Sequence, residues 1–197
     1  MSDAETLKVY GEKAQDYADL VAGPDEADPI LAAFIAALPA GGTALDLGCG
    51  PGASAAAMAR AGLNVVAFDP VPEMVTMADK HPGVTAQLGS FDDLTDSNIY
   101  DGIWANFSLL HAPRADMPRH LTAISDALKP GGRFHIALKS GEGSKRDALG
   151  RLYTYYTDAE LTCLLEAAGL TVTARQSGRD KGLDGAEADW ISLAAHG

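Results

Sequence analysis

Two acids and three glycines stand at spacings that chemistry could use. In "ALDLGCGPGASAAA", Ala44 to Ala57, a hydrophobic stretch runs through Gly48, Gly50 and Gly52 straight into alanine-rich sequence, with Asp46 two residues before the first glycine. Gly48 and Gly50 permit a tight turn and a close backbone approach to a ligand. Gly52 can adopt a positive φ, and Ala53 allows close packing of helix on sheet. Cys49 reads as a small residue in a crowded loop rather than a nucleophile. Asp69 follows the loop by roughly 20 positions, where an acid at the end of a second strand bonds a ribose. A helix cap is the alternative for Asp69, and the glycine loop before it argues for the ribose.

Asp46 separates two nucleotide classes. A dinucleotide site spends its loop and helix N-terminus on a pyrophosphate, and an extra carboxylate aimed into that space opposes phosphate. The same carboxylate suits an ammonium group. S-adenosylmethionine carries an ammonium and a sulfonium and no phosphate, so the acid favours it over a nicotinamide dinucleotide.

These residues need elements to position them. The chain has 197 residues, 47% hydrophobic and 21% charged, which fits one domain with a sizeable core. Asp28 can cap and Pro29 open a helix to about Leu38, after a break at "GPDEADP" and an N-terminal stretch, 1–23, that reads as partly helical. "TALDL" is a short buried strand, and a helix follows from about Ala53 to Ala61. "NVVAF", "VTAQL", "YDGIWAN" and "RFHIALK" read as further strands. Helices at "PEMVTMADK" and "ADMPRHLTAISDAL" separate some of them. Thr157 and Glu160 form a capping box for a helix through "LTCLLEAAG". "LTVTARQS" and "WISLAA" have no helix between them and pair as an antiparallel hairpin. The expected fold is α/β, a doubly wound, mostly parallel seven-stranded sheet with helices on both faces and an antiparallel C-terminal strand pair. Residues 1–38 form an N-terminal helical extension or lid, and 39–197 the ligand-binding domain.

Net charge is −12 with a sequence pI near 4.6, which makes nucleic acid and anionic membrane poor default partners. Two cysteines do not make a disulfide framework. No apolar run is long enough to span a bilayer and the N-terminus lacks an apolar signal core, so a cytoplasmic location is expected. No histidine–carboxylate cluster has metal-ligand spacing.

"LDLGCGPG" with "AFDP" resembles the first two motifs of the class I (Rossmann-like) S-adenosylmethionine-dependent methyltransferases. "YDGIWANFSLLH" and "ALKPGGRFHIAL" resemble the family's fourth-strand motif and its approach to strand five. The resemblance implies that Asp46 and the backbone of Gly48, Cys49, Gly50 and Gly52 hold the methionine part. It implies Asp69 on the ribose hydroxyls, Pro70 and Val71 against the adenine, and Asn106 near the ammonium. In "GSFDDL" the family's acid after the glycine is replaced by Ser90, which leaves backbone around Phe91, or Asp92, for the adenine edge. Asp92 reads equally well as a surface turn residue. Many similar enzymes begin with a helix whose tyrosine closes over the methionine end. Tyr17 is preferred to Tyr10 for that role, with amphipathic packing as the alternative.

Methyl transfer is an in-line displacement, so placing the acceptor supplies much of the rate, and a base is needed only where the acceptor keeps its proton. His111 is the candidate catalytic residue, in "SLLHAPR", where similar small-molecule enzymes often place a histidine; the alternative is capping of local backbone. The segment Lys139 to Thr157, "KSGEGSKRDALGRLYTYYT", gathers Lys139, Lys145, Arg146 and Arg151 with Tyr153, Tyr155 and Tyr156 in an otherwise acidic chain. It reads either as a mobile wall attracting an anionic acceptor or as a solvated loop balancing local acid. The sequence lacks the Asn/Asp-Pro-Pro-Tyr motif expected of a nucleic-acid amino-methyltransferase. The leading expectation is methyl transfer to a small, possibly anionic, molecule. The alternatives are a non-catalytic S-adenosylmethionine sensor or scaffold, a protein methyltransferase and a nicotinamide oxidoreductase. Oligomeric state is not legible.

Overall fold

A computed structural model describes residues 3–21 and 28–197; the expected break at 23–27 lies outside the described residues. The helices are α1 (Ala4–Glu12), α2 (Ala14–Val21), α3 (Pro29–Ala36), α4 (Ala53–Arg60), α5 (Pro72–Ala78), α6 (Met117–Ala127) and α7 (Asp158–Ala167). The strands are β1 (Thr43–Leu47), β2 (Asn64–Asp69), β3 (Val84–Leu88), β4 (Tyr100–Asn106), β5 (Leu128–Lys139), β6 (Ser144–Arg146), β7 (Leu152–Thr154), β8 (Thr171–Lys181) and β9 (Glu187–His196). Seven strands form one sheet in the order β3-β2-β1-β4-β5-β9-β8. The first five run parallel, and β9 and β8 are antiparallel additions at one edge. This is the doubly wound α/β arrangement, with strand order reversing between β1 and β4.

The alternation of strand residues sorts the core. Ala44 and Trp104 pack with Leu31 and Phe34 of α3 and with Ala55 and Met58 of α4. Their sequence neighbours Leu45 and Ile103 pack instead with Leu121 and Ile124 of α6 and Leu161 and Leu165 of α7. Successive side chains of a strand point to opposite faces, so the two clusters flank the sheet. A third, smaller cluster joins Ala14, Val71 and Met74, with Leu7, Tyr10 and Tyr17 against it. It seats α1 and α2 over the start of α5, above the carboxyl ends of β1 and β2.

Three elements differ from the sequence expectation. Leu128, read as the end of a helix, already pairs with Tyr100, so β5 starts before a register shift and the turn at "KPGG" lies within it. The basic segment is not an open loop: β6 and β7 pair as an antiparallel ribbon, Lys145 opposite Tyr153. The polar stretch between the last two strands continues the hairpin, with pairing out to Lys181 and Glu187. In both additions one strand is largely polar and exposed, Ser144–Arg146 in the ribbon and Thr171–Lys181 in the hairpin, and leaves no hydrophobic alternation to read.

Candidate active site

At the end of β1 the Gly48 and Cys49 N–H groups both donate to Phe68 O, at 2.8 and 2.9 Å, tying the loop to the end of β2. Packing demands two of its glycines. A β-carbon at Gly48 would lie 2.3 Å from Ser108 Cβ, and one at Gly52, the N-cap of α4, 2.8 Å from Ala78. Asp69 fixes the rest. Its Oδ2 accepts from Gly50 N and its Oδ1 from Val71 N, both at 2.9 Å. Burial pushes the Asp69 carboxyl up to about 6, against those two backbone bonds.

Gly48, Gly50, Asp69, Pro70, Val71 and Phe91 line one side of a cavity of about 60 Å³. Tyr10, Tyr17, Asn106 and His111 line the other. Tyr17 stands over the loop, its ring edge 3.3 Å from where a Gly50 β-carbon would be. Asn106 turns its Oδ1 toward His135 Nε2, 3.2 Å away. Four expected ligand contacts are not brought to this wall, the first being Gly52, which caps α4 and packs against Ala78. Asp46 lies buried beneath the loop rather than in it, and its Oδ2 has no hydrogen-bond partner among the described residues. Burial raises Asp46 to about 7, countered by the Ala55 N–H and reinforced by Asp69. Cys49 Sγ turns onto Gly50 O at 3.4 Å, and burial pushes its thiol up, away from nucleophilic use. Asp92 points outward to Arg119, 2.6 Å away, because Ser90 caps the short 3-10 turn Phe91–Asp93 and directs only Phe91 inward.

His111 is buried and bonded at both nitrogens. Nδ1 faces Leu152 O at 2.7 Å, so it carries the proton, and Nε2 accepts from the Tyr10 hydroxyl at 2.9 Å. Burial foremost, with the Arg151 and Lys139 charges beside it, lowers its pKa to about 4 against the bond to Leu152. The ring is therefore neutral at pH 7. Arg151 donates Nη1–H to the same Tyr10 oxygen at 3.0 Å. The guanidinium is itself held by Asp147, through Nε at 2.9 Å and Nη2 at 2.6 Å, in a pair almost wholly buried. Leu152 closes the arrangement, its N–H donating to Thr6 Oγ1 of α1 at 2.8 Å.

A larger cavity of about 400 Å³ adjoins the first and shares Tyr10, Tyr17 and Phe107 with it. Of the acceptor residues expected from sequence, Lys139 and Tyr153 line it, with the Lys139 ammonium 3.9 Å above the Tyr153 ring. Lys145, Arg146 and Tyr155 do not. Arg146 clasps Asp3 with two bonds of 2.9 Å, Lys145 is exposed on the ribbon, and Tyr155 packs on Gly141. Sequence reasoning ranked Tyr10 second to Tyr17 and gave Arg151 only a charge. It missed Phe107 and Trp190. Phe107 adopts a φ of +53°, and no residue pattern announces that.

A family described as "Methyltransferase domain" matches residues 44–132, from β1 into the turn within β5. A ubiquinone biosynthesis O-methyltransferase of Xanthomonas axonopodis pv. citri is 34% identical over 106 residues, 50% of this chain and 44% of that protein. A cypemycin N-terminal methyltransferase of Streptomyces is 36% identical over 131 residues, 63% of this chain and 54% of that one. The chain thus spans about half the length of these curated relatives. Among solved structures, a Burkholderia thailandensis 1,6-didemethyltoxoflavin-N1-methyltransferase, crystallised with 1,6-didemethyltoxoflavin and S-adenosylhomocysteine, superposes with a TM-score of 0.78. It is 27% identical, over 98% of this chain and 87% of that one. Domain match, curated relatives and solved structure all point the same way: over residues 44–132 the chain is similar to a methyltransferase domain, and these likenesses support a class I S-adenosylmethionine-dependent methyltransferase.

Proposed function

We propose that this chain transfers a methyl group from S-adenosylmethionine to a small-molecule acceptor. One observation carries the reading: a glycine-and-carboxylate cavity opens, past Tyr10, Tyr17 and Phe107, into a second cavity of a size to enclose a small ligand. The residues present fit the cofactor. Asp69 ends β2 in the cavity wall, where it serves the ribose hydroxyls. Pro70, Val71 and Phe91 give an apolar wall for a purine, and backbone at Gly48, Gly50 and Asn106 faces the amino-acid end. The unpartnered Oδ2 of Asp46 supplies negative potential from beneath the loop, which favours a cation above it and opposes a phosphate. When bound, S-adenosylmethionine supplies an electrophilic methyl carbon; the chain's part is to aim the acceptor at it and exclude water.

α1 and α2 act as a lid, clasped by Arg146 to Asp3 and by Leu152 to Thr6. His111 and Arg151 hold the Tyr10 hydroxyl at the junction of the two cavities. Lys139 and Lys181 in the acceptor wall support an acceptor that carries negative charge. The names of a ubiquinone biosynthesis O-methyltransferase and of a 1,6-didemethyltoxoflavin-N1-methyltransferase with 1,6-didemethyltoxoflavin bound support a small molecule over a nucleic acid.

The test is release of S-adenosylhomocysteine from S-adenosylmethionine across a panel of small phenols, carboxylates, amines and thiols. Turnover with one class supports the reading. Cofactor binding with no turnover on any member, peptides included, returns the sensor reading. S-adenosylhomocysteine is expected to raise Tm and NAD to leave it unchanged; the reverse overturns the cofactor.

A further inference from the structure

The walls of the larger cavity say more about the acceptor than its size. Tyr10, Tyr17, Phe107, Tyr153 and Trp190 line it, five of the thirteen aromatic side chains in the chain. Leu110 and Leu183 add aliphatic surface between them. Flat rings stack or meet edge to face on such walls with more gain than their buried area alone supplies.

The charges around the cavity are unequal in availability. Arg151 is neutralised by Asp147 in a buried pair. Asp180 accepts the Trp190 Nε1–H at 2.6 Å, and Lys181 follows it in the chain. Lys139 makes no ion pair among the described residues, and its ammonium rests on the Tyr153 ring. Burial pulls its pKa down, and Asp184 and Asp147 act on it only at longer range. A half-desolvated ammonium that rests on a ring face, with carboxylates acting only from longer range, is short of a directly bonded anion.

His111 cannot readily deprotonate a ligand here, because Nε2 already accepts from Tyr10 and the ring does not line the larger cavity. We propose that the larger cavity takes a planar aromatic anion, such as a phenolate or an aromatic carboxylate, with its ring on the aromatic wall and its charged oxygen on Lys139 Nζ. Where that oxygen is the ionised hydroxyl, its proton leaves to bulk water as the anion binds, and no base in the wall receives it. This names the chemical class of the acceptor in the reading above and rests on that reading.

The test uses 4-nitrophenol, whose colour reports ionisation, with no methyl donor in the cuvette, so its outcome is independent of whether methyl transfer occurs. One pH unit below the free probe's own pKa, the bound probe is expected to absorb as the phenolate. It should bind at least tenfold more tightly than 4-nitrobenzyl alcohol and at least tenfold more tightly than hexanoate. Lys139→Met should abolish the spectral shift and lose at least tenfold in affinity, while Lys139→Arg should keep both. Equal binding of 4-nitrobenzyl alcohol overturns the anion, equal binding of hexanoate overturns the aromatic wall, and an unchanged Lys139→Met overturns the anchor. Should Lys139→Met fail to fold, the three-probe comparison on the unaltered chain still decides.

Discussion

Asp69 Oδ2 accepts the Gly50 N–H at 2.9 Å, so the acid at the tip of β2 fixes the glycine loop at the tip of its neighbour β1. Its other oxygen holds Val71, which packs against α1 and α2. One carboxylate thus shapes the loop, the apolar cavity wall at Val71 and the seat of α1 before it meets any ligand. Asp69→Ala removes both bonds and the proposed ribose contact together. Hydrogen bonds to a charged group are worth about 1.5–3 kcal/mol each. Affinity for S-adenosylhomocysteine should therefore fall by about tenfold or more by calorimetry, with a lower Tm. Asp69→Asn keeps one accepting oxygen and should fall between. Unchanged affinity in Asp69→Ala would remove the ribose role.

The two buried acids make stability and binding depend on pH with opposite signs. Asp46 is raised to about 7 and Asp69 to about 6, whereas an unfolded aspartate stays ionised down to about 4. Between pH 4 and 7 the folded chain therefore binds more protons than the unfolded one. Stability contributed by these groups falls as pH rises through that window and is fullest near its acid end. A ligand carrying an ammonium favours the ionised carboxylates, so it should bind more weakly as they protonate. Thermal scans from pH 5 to 8 should show a declining Tm without ligand and a Tm increment from S-adenosylhomocysteine that grows with pH. Asp46→Asn should flatten part of the first slope; an identical slope would show that Asp46 titrates normally.

Legibility in the sequence followed the range of the interaction. β1, α4 and β2 could be read from hydrophobic alternation, glycine stops and the spacing of Asp46 and Asp69, all of which act within one or two elements. Lys139 and Tyr153 were legible as types in a region. Their partners were not, because the contacts that select them close long loops: Arg146 meets Asp3 across 143 residues and Arg151 meets Tyr10 across 141. Arg146 and Arg151 look alike in sequence, and only docking of α1 on the ribbon makes one an exposed clasp and the other a buried anchor. The same holds for Asp46. Its type and spacing announce a ligand, but its depth beneath the loop is set by the pleat of β1, where Ala44 and Asp46 share one face and Leu45 and Leu47 the other.

That contrast between the two arginines is measurable. Asp147 and Arg151 are 5% and 2% exposed at their side chains, and removing one partner of a buried pair costs about 3–5 kcal/mol. Asp147→Ala should therefore destabilise the chain by about that much in urea titrations. Arg146→Ala, breaking a pair that is 40% and 21% exposed, should cost far less, because solvent screens an exposed pair. Similar losses in the two variants would mean that the ribbon is not anchored through Asp147.

Tyr10 and His111 form one unit, because His111 Nε2 has the Tyr10 hydroxyl as its partner and the Leu152 carbonyl fixes the proton on Nδ1. Once an acceptor is in hand, Tyr10→Phe and His111→Gln should each lower kcat by about tenfold to a hundredfold, a positioning effect rather than loss of a base. The double variant should cost little more than either alone, since both remove the same contact. Affinity for S-adenosylhomocysteine should stay within about threefold in all three. With His111 lowered to about 4, the ring is neutral throughout pH 5–8, so kcat/KM should show no ascending limb near the ordinary histidine pKa of about 6.5. A limb at that pH that vanishes in His111→Gln would instead make His111 the base, with Tyr10 displaced from its nitrogen during turnover.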